Sequence, residues 1–322
     1  MASPWLLRLL LLLFCMAAGS AGAQEYPSRS LRLIIPVAPG GGTDILGRLL
    51  ARKLFETFGQ QVVVDNRPGA GTVIGSDLLA KAAPDGYTLS LQINALAANH
   101  TLHAKLPYDT LRDFAPVVLI ASTPNVLVVH PSLPAKSVRE FLALARARPG
   151  QIAYASTGVG GAAYLATEML KLNTGIRMIH VPYKGTAPAL NAIISGEAQI
   201  MVAALPGTLP FIQAGRVRPL GVTSAQRAPA TPELPTMMEA GIPGYEFSTW
   251  YGLFAPGGTP REIVFKLNAA VARILGQPDF RAQLAREGLD PAGGTTESFE
   301  NYFRAEVEKL GAVIRASGAK AE

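Results

Sequence analysis

The sequence predicts an α/β protein of two lobes, on three observations. Apolar, β-branched stretches alternate with stretches of helical period along most of the chain, the pattern of mostly parallel sheets flanked by helices. Two corners of the type strand, glycine turn, helix start recur at 33–46 and 151–166, without any repeat of fixed period. Between them, the apolar runs 114–122 and 126–130 are parted only by Thr123-Pro124-Asn125, which reads as the chain passing from one block into another. A chain of 322 residues has room for two domains of ordinary size, and 49% hydrophobic with 16% charged residues is a globular composition.

At the N-terminus, Arg8 precedes the apolar run 9–18, which ends in small residues and Ala21-Gly22-Ala23. This predicts a signal peptide over 1–23, cut before Gln24, and a periplasmic product. The run is shorter than the roughly 20 apolar residues that span a bilayer. Cys15 follows Phe14 rather than a small residue, so it does not read as a lipoprotein signal. It is the only cysteine, so the mature chain is expected to hold neither a disulfide nor a reactive thiolate.

The first corner runs Leu33-Ile34-Ile35-Pro36-Val37-Ala38-Pro39-Gly40-Gly41-Gly42-Thr43-Asp44. A helical pattern follows at Ile45, Leu46, Leu49, Leu50 and Leu54, with Thr43 or Asp44 as the expected cap. The sequence 61–65 reads as a buried strand, 66–71 as a loop, 74–82 as a helix and 87–91 as a short strand after the Pro84-Asp85-Gly86 turn. Asn94 opens a further loop-to-helix segment. In the second block come a helix at 137–146, a strand at 151–155, the corner Ser156-Thr157-Gly158-Val159-Gly160-Gly161 and its helix. A strand at 178–181, a helix at 187–195 and strands at 199–203 and 217–223 complete it. The return near 223–245 leads to an aromatic strand, 244–254, and a mainly helical tail broken at Pro278 and Gly293-Gly294.

Both corners are predicted to leave bare backbone N–H groups at a helix start, and such groups bind anions. Glycine turns also serve as plain strand-to-helix connections; two of them facing one another across a domain boundary are the stronger signal. The net charge of +6 is scattered, with no basic run and no interleaved aromatics, so no nucleic-acid partner is expected. Gly158-x-Gly160-x-x-Ala163 fits a dinucleotide turn but lacks the acidic residue about 20 positions on, and Gly42 to Leu49 lacks the lysine and hydroxyl of a phosphate-binding loop. Ser156 has Tyr154 where a nucleophile elbow has glycine, and the four histidines are not at zinc-motif spacing. His180 reads as a packed or hydrogen-bonded core residue, and Asp44 as a cap rather than a general base. No cofactor and no metal are expected.

With these motifs quoted, the chain resembles the Bug, or tripartite tricarboxylate transporter, substrate-binding receptors. The carrying segments are Ala38 to Asp44, Asp65-Asn66-Arg67-Pro68-Gly69-Ala70-Gly71, Pro84 to Leu89, His180-Val181-Pro182-Tyr183-Lys184-Gly185, and Leu234-Pro235-Thr236 with Glu239-Ala240-Gly241. They keep family order across nearly the whole mature chain. The resemblance implies a type II periplasmic-binding-protein fold, two α/β lobes joined by two crossover segments around a ligand cleft. It implies a receptor for a small carboxylate, gripped mostly by the two corners and delivered to membrane components of a tripartite transporter or to a sensor. Two departures stand out: Gly161 and Tyr164 replace a Ser and a His usual in the second corner, and Ala203 stands where many members have Asp. The Ala203 departure implies a ligand that is not an α-amino acid, and Tyr164 a larger, less basic pocket.

The reading that follows is a monomeric, non-enzymatic receptor, with lobe 1 formed by 24–123 plus 224–322 and lobe 2 by 124–223. The expected ligand-binding residues are Val37, Ala38, Pro39, Gly40, Gly41, Gly42, Thr43 and Asp44 in the first corner, and Ser156, Thr157, Gly158, Gly160 and Gly161 in the second, with Asn94, Tyr164 and Ala203 at the edge of the cleft. The alternatives are an exported hydrolase or acyl-transfer enzyme on a similar scaffold, and a purely structural partner protein.

Overall fold

A computed structural model describes residues 26–320; the predicted leader lies outside them. The molecule is built on a ten-stranded mixed sheet. In the first half, β1 (Leu31–Ile35), β2 (Val62–Asn66) and β3 (Thr88–Gln92) pair in parallel around β1. They are connected through α1 (Gly42–Phe58) and α2 (Val73–Ala80), and α3 (Asn94–Leu102) follows β3. β4 (Phe114–Val129) then crosses the whole molecule. The second half holds α4 (Val138–Ala147), β5 (Ala153–Ser156), α5 (Ala162–Thr174), β6 (Ile179–Pro182), α6 (Thr186–Ser195), β7 (Ile200–Ala204), α7 (Leu205–Gln213) and β8 (Arg218–Val222). β9 (Ser248–Pro256) returns to the first half, followed by α8 (Arg261–Leu275), α9 (Pro278–Arg286), β10 (Asp290–Pro291) and α10 (Thr296–Ser317).

The α/β class and the two-lobe layout hold. The expected break at Thr123-Pro124 does not: β4 is one continuous strand of 16 residues. Up to Pro124 it pairs with β9, and from Asn125 it pairs with β7 on one side and β8 on the other. Pro124 is tolerated because β4 runs out of the first half at that point, where a missing N–H breaks little of the ladder. The sheets are also less parallel than expected. The outer pairs are parallel, but β4 and β9 run antiparallel to every strand they touch, because both are crossover strands. The expected buried strand at 61–65 is instead an edge strand, with Val63 half exposed.

Apolar clustering explains how the halves stay together. One cluster packs α1 and α8 against β1, β3 and the Val117–Ala121 part of β4. Another packs α6 and α7 against β7. The largest is shared between the halves. It joins Tyr154, Tyr164, Leu165 and Leu170 of the second half to Leu96, Trp250, Phe254, Phe299, Phe303 and Leu310 of the first. The terminal helix α10 packs on both α3 and α5 and bridges the seam. The buried Trp250 indole donates to Glu306 Oε2 at 3.0 Å, fixing α10 to the crossover strand β9.

Candidate functional site

The first corner is the turn from β1 to α1. Gly41 caps α1 in an extended conformation, and no side chain accepts from the helix start. The N–H groups of Gly42 and Thr43 have no backbone acceptor among the described residues, as the geometry of a helix N-terminus requires. The expected capping role for Thr43 or Asp44 is therefore corrected. Asp44 sits in the first turn and folds back: its Oδ2 accepts from Gly40 N–H at 3.1 Å and from Arg48 Nε at 3.0 Å. Its Oδ1 accepts from Asn66 Nδ2 at 3.0 Å, and the same amide donates to the Val37 carbonyl. Burial pushes the Asp44 carboxyl up, but the donors Arg48, Gly40 and Asn66 outweigh it and hold the group below its ordinary value. One anionic charge thus braces the outer side of the turn, and the Gly40 amide is already taken.

The second corner, from β5 to α5, is built alike. Gly161 caps α5 without a side-chain acceptor, leaving the first amides, Ala162 and Ala163, without backbone acceptors among the described residues. Ser156 organises the turn from behind. Its hydroxyl accepts from Gly158 N–H at 3.1 Å and meets His180 Nε2 at 2.6 Å. His180 is thus hydrogen-bonded as the sequence suggested, and its ring stacks on Tyr154 and leans on Tyr164.

The two helix starts open onto one enclosed cavity of about 30 Å³. Val37, Ala38, Gly41, Gly42 and Thr43 line it from the first corner, and Thr157, Ala162 and Ala163 from the second. Ile93, Thr249 and Tyr251 close the first-lobe side, and Thr186, Met201 and Ala204 the second. None of these residues is charged. The lobes touch around the cavity: a Cβ built on Gly207 of α7 would lie 3.5 Å from Gly42 N. Tyr251 is 1% exposed, and a Cβ on Gly42 would lie 2.6 Å from its hydroxyl. That hydroxyl has no hydrogen-bond partner among the described residues. Burial pushes its pKa up, so the phenol keeps its proton and can donate. The hydroxyls of Thr43, Thr157 and Thr186 are likewise without partners among the described residues. The arrangement can do one thing well: surround a small acceptor-rich anion with donors from two lobes.

Other expected site residues sit elsewhere. Pro39 and Gly40 are exposed outside the cavity. Asn94 is a clamp: its amide donates to the Ser248 carbonyl at 3.1 Å and its Oδ1 accepts from Trp250 N–H at 3.2 Å. Gly158 lines a neighbouring chamber, and Gly160 packs against Leu102 and Asn99. Ser156 and Gly161 shape the turn without lining the cavity. Ala203 is wholly buried among apolar neighbours, and Tyr164 is buried against His180 rather than at the cavity wall. Burial pushes the Tyr164 hydroxyl up to about 12. The inference that Tyr164 enlarges the pocket is therefore withdrawn. The sequence reading missed Ala162 and Ala163, the two residues directly after the predicted turn. It also missed Thr186 at the start of α6, and Ile93, Met201, Ala204, Thr249 and Tyr251.

Comparison with known proteins places this architecture. A family profile described as "Tripartite tricarboxylate transporter family receptor" matches residues 46–319. The chain belongs to this receptor family. Protein BugT of Bordetella pertussis is 37% identical to this receptor over 313 residues, covering 96% of each chain. Among solved structures, Rpa4515 of R. palustris with adipate superposes at a TM-score of 0.89 with 39% identity, covering 92% of this chain and 99% of the other. MatC (Rpa3494) from Rhodopseudomonas palustris with bound malate superposes at 0.85 with 32% identity, covering 90% of this chain and 100% of the other. The chain is an α/β solute receptor of this family, and no helix among its described residues is long and apolar enough to cross a membrane.

Proposed function

We propose that this receptor is exported to the periplasm, holds a small carboxylate between its lobes and presents it to the membrane components of a tripartite carrier. The lobes are taken as 24–123 plus 224–322 and 124–223. The single observation that carries the ligand reading is the convergence of two uncapped helix starts and the unpartnered Tyr251 hydroxyl on one buried, uncharged cavity. A carboxylate bound there accepts hydrogen bonds from Gly42, Thr43, Ala162 or Ala163 amides and from Tyr251, and faces the positive ends of two helix dipoles. The adipate and malate complexes of the relatives support the same ligand class. Each charge-assisted bond contributes about 1.5–3 kcal/mol, so three or four suffice for micromolar affinity after ordering costs.

Among the described residues no carboxylate side chain lines the cavity, so an α-amino group would be buried without a counter-charge. Calorimetric titration with succinate and malate against aspartate and glutamate tests this. Binding of the plain diacids with little or no heat from the amino acids is expected; tight binding of the amino acids alone would overturn it.

The enzyme alternative gains one observation, the short Ser156–His180 contact, and loses on the rest. Ser156 is fully buried, its oxygen already accepts from Gly158 N–H, and it does not line the cavity. A nucleophile needs access to its substrate.

A further inference from the structure

The turn Gly69-Ala70-Gly71-Thr72, between β2 and α2, takes four residues in succession through positive φ, at 132°, 46°, 59° and 81°. Two are glycines, but Ala70 and Thr72 carry Cβ atoms, and a β-branched residue rarely occupies this region. Such backbone persists where its surroundings over-determine it. The determining neighbour is Asn99 of α3, which is wholly buried. Its Nδ2 donates to the Gly71 carbonyl at 2.9 Å and to Thr72 Oγ1 at 3.4 Å. The opposite face of this arrangement is the second corner. A Cβ built on Gly71 would lie 2.8 Å from the Val159 carbonyl oxygen, and one on Gly160 would lie 3.2 Å from Asn99 Oδ1 and 2.7 Å from Leu102 Cδ2. The turn, Asn99 and Leu102 belong to the first half of the molecule, and Val159 and Gly160 to the second. Val159 and Gly160 directly precede Gly161, the cap of α5, and the bare amides of Ala162 and Ala163.

We propose that Asn99 is a positioning residue for ligand binding. It holds the strained 69–72 turn in place, and turn and amide together seat Val159 and Gly160, so that the Ala162 and Ala163 amides meet an anion held by Gly42 and Thr43. Neither Asn99 nor the turn lines the cavity, so Asn99 acts through Gly71 on one side and Gly160 on the other. A side chain at Gly71 or Gly160 would intrude on the opposite half and hold the halves apart. The seat exists only while the two halves are apposed. It therefore adds nothing to the first encounter with a ligand and acts on its release. The inference rests on the carboxylate reading above and adds to it the residue that sets the grip of the second corner.

The test is calorimetric and stopped-flow binding of malate and adipate to the unaltered protein, to Asn99→Leu, to Gly160→Ala and to the double variant. Asn99→Leu keeps the volume and removes the amide. Gly160→Ala leaves Asn99 in place and lifts the second corner off its seat, so it serves even where the first variant folds poorly. Each single variant is expected to weaken binding about tenfold, through faster dissociation at an unchanged association rate. Because both act on one contact, the double variant should lose about as much as the weaker-binding single, not the roughly hundredfold product of independent sites. A purely structural role would lower the melting temperature and the fraction able to bind, while the folded remainder released its acid at the original rate. That result, or losses that multiply, would overturn the positioning role and leave the carboxylate receptor standing. No binding of either acid by the unaltered protein would overturn the carboxylate reading and this role with it.

Discussion

A methyl group at Gly42 would lie 2.6 Å from the Tyr251 hydroxyl and 3.3 Å from Pro206 Cβ, so this position admits hydrogen alone. Gly42→Ala is expected to push Tyr251 out of the cavity and to weaken diacid binding by about tenfold or more. Tyr251→Phe keeps the ring and removes only the donor. Because that hydroxyl has no protein partner among the described residues, the variant should lose about one charge-assisted bond of affinity, roughly 1.5–3 kcal/mol, with its melting temperature nearly unchanged. Calorimetry and thermal melts on the pair check both; a Tyr251→Phe protein that binds as before would remove the phenol from the site. Gly41 and Gly42 were legible in the sequence because glycines between an apolar strand and a helical pattern mark a turn that leaves the first helix amides bare. Tyr251 was not, because a tyrosine amid Phe247, Trp250 and Phe254 looks like any core aromatic until its hydroxyl is seen without a partner. Asn94 misled in the opposite way. A polar residue opening a helix suggests ligand contact, and its two hydrogen bonds to β9 show a structural clamp instead.

At the scale of elements, the N-terminus of α1 is a balance of charges. Asp44 and Arg48 make an i, i+4 pair at 3.0 Å, and Asn66 ties the same carboxylate to the end of β2. Since the Asp44 carboxyl is held below its ordinary value of 3.8, its contribution is complete above that pH and is lost as the pH falls through the lowered folded value. Asp44→Asn should therefore cost about 1–2 kcal/mol at neutral pH, measured by urea unfolding. The gap to the unaltered protein should close as the pH is lowered past the ordinary carboxylate range; a gap that stays constant would show that charge is not the cause. Most elements were legible because their apolar period is regular. Those missed have physical reasons: α7 contains Pro206, Gly207 and Pro210, which read as turn residues, and β10 has only two residues. β4 looked broken because a proline within an apolar run ordinarily ends a strand, whereas here it falls where the partner strands change. At that change, Asn125 Oδ1 accepts from Thr249 at 2.7 Å, and Asn125 N–H donates to Thr223 at 2.8 Å. One buried asparagine thus joins both crossover routes.

For the whole molecule, the sequence predicted two lobes and their order, since the corners and crossovers are local signals. It did not predict that the largest apolar cluster belongs to both, because that depends on how α10 lies over α3 and α5. The lobes also meet around the cavity, where the contacts are glycines and small polar groups. Removal of 295–322 is expected to expose Trp250, seen as a red shift of its emission, and to replace one cooperative melt by a broad one. A truncated chain that melts sharply near the original temperature would show that the seam is sealed without the helix. The position of α10 also has a bearing on biosynthesis. Synthesis begins at the amino end, so α10, which helps fasten the two halves, is made after every strand and helix it joins. Until 296–317 has emerged, the nascent polypeptide lacks the Trp250–Glu306 bond and the rings of Phe299 and Phe303 that help close its seam, and an unclosed seam leaves the halves easier to hold apart.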